Sequence, residues 1–151
     1  MVDTSIQHDA EAWIVQHGLP SIFPGMIFRG AKLPLKWGGR FNFDAVSTDD
    51  SVVGSISTSA QRTASGNLAT AKFQKLKTDA LYLLNLQNPA RMVMVFTEQS
   101  MHEHFCREKD VGRFPPEIEL YHVGLPHELH QRVLEVRALA SKETSPVRAA
   151  T

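Results

Sequence analysis

An α/β domain with a mixed central sheet flanked by helices is the fold this sequence predicts, and three stretches predict it. Gly38–Thr58 (GGRFNFDAVSTDDSVVGSIST) reads as two strands joined by a turn, and Leu68–Gln87 repeats apolar residues at helical spacing. Met92–Phe96 (MVMVF) is a wholly apolar run of strand length. A hairpin followed by strands that alternate with helices gives a sheet that is part antiparallel and part parallel, with helices packed on its faces in two or three layers.

Asp9–His17 places Ala10, Trp13 and Ile14 on one side of a short amphipathic helix, and Gly18 with Pro20 beyond it marks the stop. Pro20, Pro24, Gly25, Gly30 and Pro34 punctuate Leu19–Gly38, which is expected to be irregular with a short strand at Met26–Phe28. In Arg40–Val46 strict alternation puts Phe41, Phe43 and Ala45 on one face and Asn42, Asp44 and Val46 on the other. Ser47–Ser51 (STDDS) is turn chemistry, and in Val52–Thr58 the residues Val53, Ser55 and Ser57 share a face that a suitable register would turn toward Asp44. The long helix has Phe73, Leu76, Ala80 and Leu83 on its core side and Lys72, Lys75 and Asp79 in a polar row. Asn88-Pro89 ends it. After Met92–Phe96 the pattern predicts a helix over Met101–Asp110, a strand at Ile118–Val123 and a helix over Glu128–Ala140. Residues 1–140 then form one α/β domain, and 141–151 has the small, polar composition of a flexible tail.

With 151 residues and 42% hydrophobic content, the chain has enough apolar material for one real core. Sixteen basic and sixteen acidic residues cancel, so any nucleic-acid binding must use a local basic patch. One cysteine, Cys106, excludes an internal disulfide framework and fits a reducing cytoplasm. No apolar run approaches the roughly 20 residues of a membrane span, and the first residues lack the regions of a signal peptide; a cytoplasmic protein with no membrane contact is expected.

Three clusters carry possible chemistry. Lys32, Lys36 and Arg40 gather around Trp37, as either a solvated loop with one buried aromatic or a phosphate-contacting segment with an aromatic surface. Ser57, Thr58, Ser59, Thr63, Ser65 and Gly66, with Arg62, lead into the long helix, whose N-terminal amides favour anions. Helix capping is the plain alternative for these hydroxyls, and Lys72 and Lys75 on the same end would complete a phosphate site. His102 and Cys106 in HEHFC share a helix face, but two ligands do not close a zinc site unless His122, His127 or His130 joins them.

The order of elements, with Asp44 ending one strand of a hairpin before a long helix and a buried strand, resembles the PD-(D/E)xK superfamily of restriction-endonuclease-like nucleases. The resemblance covers Asp9 to about Val123 and implies a magnesium site at Asp44, with Glu11 matching the acid many members carry on the first helix. Where the superfamily has its acid-x-lysine, this chain has Ser55-Ile56-Ser57. Neither serine brings charge to a metal. The expectation is therefore a degenerate scaffold that binds nucleic acid or a protein partner, in which Arg40, Arg62, Lys36, Ser57 and Thr58 contact the ligand. The alternative is a magnesium-dependent DNA phosphodiesterase whose roles have migrated. In that case Asp44 and one of Glu11, Asp79 and Glu98 would hold the ion, with Lys72 or Lys75 beside the scissile phosphate and Asp49 and Asp50 as further candidate acids. The small size of the chain is compatible with a homodimer.

Overall fold

β3 (Val52–Ser57) is buried at every position, as a strand covered on both faces must be, and the sheet is built outward from it. It pairs antiparallel with β2 (Arg40–Ser47), which pairs antiparallel with the edge strand β1 (Phe28–Pro34). On its other side β3 runs parallel to β4 (Arg91–Phe96), and β4 runs parallel to β5 (Ile118–His122), so spatial order follows chain order. The parallel connections are helical, through α3 (Thr70–Leu84) and α4 (Gln99–Asp110), and α5 (His127–Thr144) follows β5. This computed structural model describes residues 5–144, with side chains as far as Ala140. Residues 145–151 of the expected tail lie outside that range, and α5 runs past Ala140 into its first part.

Two apolar layers cover the sheet. Phe43, Val46, Val53 and Met94 pack against Phe73, Leu76, Ala80 and Leu83 of α3 and Met101 and Phe105 of α4. On the opposite face Ala45, Val52, Ile56, Val93 and Val95 meet Ile14, Leu19 and Phe23 of the N-terminal helical segment. A smaller cluster of Ile6, Ala10 and Val133 fastens α1 (Ser5–Trp13) to α5, which makes the fold three-layered. The tight join between β3 and β4 depends on Gly54, since a Cβ there would stand 2.7 Å from Val93 Cγ2 and 3.2 Å from its carbonyl oxygen.

Three local expectations are corrected. The stretch Phe28–Pro34 is a strand rather than an irregular segment, because its backbone groups are taken up by β2 despite Gly30 and Pro34. Gly18 does not stop the first helix. The chain widens through a π-type turn at Ile14–Gly18, where the Leu19 N–H reaches Ile14 O, and continues as α2 (Leu19–Ile22) with Pro20 in its first turn. That turn accommodates a proline with no N–H to give. The alternation of β2 is also reset: Phe43 and Val46 join one core layer while Ala45 joins the other. The reset coincides with a register shift against β1, where Arg29 faces Val46 but Ala31 faces Phe43.

The Ser47–Ser51 turn forms as expected. Asp49 Oδ1 accepts hydrogen bonds from Ser47 Oγ at 2.8 Å, Ser51 Oγ at 2.7 Å and the Ser51 N–H at 3.1 Å. These bonds, with those of Ser51 foremost, hold its carboxyl down at about 2. Asp50 adopts φ +60° in the same turn. Both aspartates are thus turn residues rather than ligands. Among the described residues no helix is long and apolar enough to cross a membrane.

Candidate functional site

A cleft of about 730 Å³ opens at the C-terminal end of β3. Its walls are α1 (Gln7, His8, Glu11), the polar loop from Thr58 to Asn67, the first turns of α3 (Lys72, Lys75) and Arg137 of α5. The register of the sheet decides what lies beneath. Ser55 faces α3, as β3 alternation predicts, and Asp44 is half-buried beside it with Oδ2 accepting the Ile56 N–H at 2.8 Å. From α3 the buried Asp79 reaches down, so that its Oδ2 accepts Ser55 Oγ at 3.0 Å and Lys75 Nζ at 3.1 Å. Lys75 and Asp79 are one helical turn apart and share a face.

Three carboxylates (Glu11, Asp44 and Asp79) and one ammonium therefore act on one another; Glu11 and Lys75 line the cleft, and Asp44 and Asp79 lie behind its lining. Burial, then Asp44, push the Glu11 carboxyl up, against the pull of His8 and Lys75. Burial likewise raises the Asp44 carboxyl, with Asp79 adding to it, while the Ile56 N–H and Lys75 oppose. Burial disfavours charge on Lys75, but Asp79 followed by Asp44 and Glu11 outweighs it and raises its pKa. Lys75 is thus a committed cation rather than a base. With the lysine side chain 61% exposed, solvent screens the Lys75–Asp79 pair even though Asp79 is buried, so it adds little to stability. Its place in the cleft is the better reason for it.

The donor chemistry suits a hard divalent cation. With every group ionised the cluster carries two net negative charges, which a divalent cation would balance. Among the described residues Gln7 Oε1 is a buried oxygen with no hydrogen-bond partner, one turn before Glu11 on the same helix face. Asp44, Asp79, Glu11 and Gln7 are all oxygen ligands of the kind magnesium takes. As they stand, no three His, Cys, Asp or Glu among the described residues are gathered as a metal centre.

The other expected residues divide. Lys72, Arg62, Ser57 and Thr58 line the cleft, with Arg62 anchored by a 3.0 Å bond from Nη1 to Gly66 O. Arg40 and Lys36 do not line it; they sit exposed on the β1–β2 hairpin. Glu98 does not join Asp44. It is buried at the start of α4, 3.1 Å from His130 Nε2 and 3.8 Å from Arg137 Nη1, so its charge is already answered by α5. Arg137 also donates to the Thr58 carbonyl at 2.6 Å. Neither Arg137 nor Gln7 was visible in sequence, because helix packing alone brings them to the cleft. In HEHFC, His102 Nε2 and Cys106 Sγ lie 3.5 Å apart on one helix face and the His122 ring is 5.9 Å from that of His102, but among the described residues no three such groups gather as a metal centre, and His130 pairs with Glu98. Comparison with protein-family models, with curated proteins and with solved structures finds no match to this chain.

Proposed function

We propose that the chain is a metal-assisted phosphodiester hydrolase acting on nucleic acid, built on a restriction-endonuclease-like scaffold with two of its site groups moved to α3. One observation carries this reading. Ser55, standing where the resembled superfamily has its second acid, binds the carboxylate of Asp79, and Lys75 binds the same oxygen. The acid and the lysine missing from β3 are thereby supplied one helical turn apart from the layer above. The order of helix, three-strand antiparallel meander, helix and parallel strand supports the scaffold assignment.

A simple anion-binding pocket is a poorer account. The Glu11 carboxylate on its wall, with Asp44 and Asp79 behind it, would repel a phosphate and would carry a burial penalty for nothing. Asp44, Asp79, Glu11 and Gln7 are the residues that would hold magnesium, which when bound lowers the pKa of a water and offsets negative charge on the reacting phosphate. Lys75 stays charged and sits beside Asp79, where it orients a phosphate oxygen. Arg62 and Lys72, on the cleft wall, take the flanking phosphates.

The second reading is a catalytically silent scaffold that binds nucleic acid or a protein partner. It is favoured by the same Asp79 oxygen, which already has two protein donors. Incubation of the protein with labelled single- and double-stranded DNA and RNA in magnesium or manganese separates the two. The hydrolase reading expects cleavage that a chelator abolishes and that Asp44→Asn or Lys75→Met lowers by about 100-fold or more. A folded wild type that cleaves none of these substrates leaves the silent scaffold.

A further inference from the structure

The β1–β2 hairpin lies outside the cleft and has features the hydrolase reading does not use. From Phe28 to Phe43 the chain carries Arg29, Lys32, Lys36 and Arg40 and no acidic residue, in a protein whose charges balance only over its whole length. All four side chains are exposed, and none takes part in an ion pair between described residues.

At the tip stands Trp37, 60% exposed. A lone exposed tryptophan needs no explanation, but this one is braced. Its ring meets Tyr82 of α3 edge-on at 6.0 Å, and Tyr82 is stacked flat on Phe41 at 4.1 Å. The backbone beneath is pinned, with the Lys36 N–H donating to Asn85 O at 2.8 Å and the Leu35 N–H to Gly39 O at 2.8 Å. Gly38, at φ +99°, closes the turn in a conformation other residues avoid. The tip is a held aromatic face flanked by Lys36 and Arg40.

We infer that this hairpin tip is a binding platform for single-stranded nucleic acid, with an unpaired base stacked on Trp37 and the adjoining phosphates on Lys36 and Arg40. Stacking on an open indole requires a free base face, which a duplex interior does not offer. These cations, which have no ion-pair partner among the described residues although Arg40 Nη2 donates to Lys32 O at 3.2 Å, supply the charge complementarity that the neutral chain lacks as a whole. The platform shares with the proposed function only its class of ligand, and it needs neither metal nor hydrolysis.

The test is fluorescence anisotropy with a short labelled homothymidine DNA strand and the corresponding duplex, in buffer containing a chelator. Wild type binds the strand more tightly than the duplex, and Trp37→Ala weakens strand binding roughly tenfold. Trp37→Phe retains most of the affinity. Lys36→Ala and Arg40→Ala each lower the log–log salt slope by about 0.7. The inference is overturned if the wild type does not bind the strand, if Trp37→Ala binds it equally well, or if Trp37 instead governs self-association without oligonucleotide binding.

Discussion

Asp44 and Glu11 are held in an environment that resists their charge, and stability registers this directly. Their folded-state carboxyls are held above the ordinary values, first because they are buried, and then because Asp44 and Asp79 lie close to Glu11 and Asp79 lies close to Asp44. In the metal-free protein the folded state therefore keeps protons that the unfolded chain has already released. Stability falls as pH rises from the ordinary carboxylate range through the raised values, and the penalty stands in full above them. Asp44→Asn and Glu11→Gln should each raise the urea midpoint at neutral pH in a chelating buffer, and the gain should vanish below pH ~4. Loss of stability in both variants at neutral pH would contradict this electrostatic account. A residue whose removal stabilises the fold is one retained for something other than folding.

At the level of elements, the join between β3 and β4 fixes where Ser55 meets Asp79. Gly54→Ala would drive a methyl into Val93 at 2.7 Å, with the carbonyl of the same residue close behind. The expected cost is roughly 1–3 kcal/mol, seen as a lower urea midpoint with unchanged slope. A neutral effect would mean that the strands separate more freely than their packing indicates. The sequence made the strongly patterned elements legible. α3 shows a clear apolar stripe, Met92–Phe96 has no polar interruption, and STDDS carries its own turn chemistry. β1 was not legible, since Arg29, Gly30 and Lys32 give no apolar alternation and only pairing with β2 makes the segment a strand. The continuation past Gly18 was hidden for a similar reason: a widened turn rescues a proline that local rules treat as a stop.

Across the whole molecule, the cleft exists because α1, α3 and α5 converge on one end of β3. Candidate acids and lysines were legible as residue types on helix faces, and alternation left the facing of Ser55 toward Asp44 to the register between β2 and β3, which the sequence does not give. Which acid would join Asp44 was not legible either. Asp79 and Glu98 look alike in sequence, yet packing sends the first to Ser55 and the second to His130 and Arg137. The central claim is that the Glu11–Asp44–Asp79 cluster, two charges short of balance, is a divalent-cation site. Calorimetric titration of the purified protein with magnesium and manganese, beside Asp44→Asn and Asp79→Asn, tests it most directly. The account predicts saturable binding with one ion per chain in the wild type, strongly weakened in both variants. Absence of binding in the wild type, or binding that survives both substitutions unchanged, would contradict it.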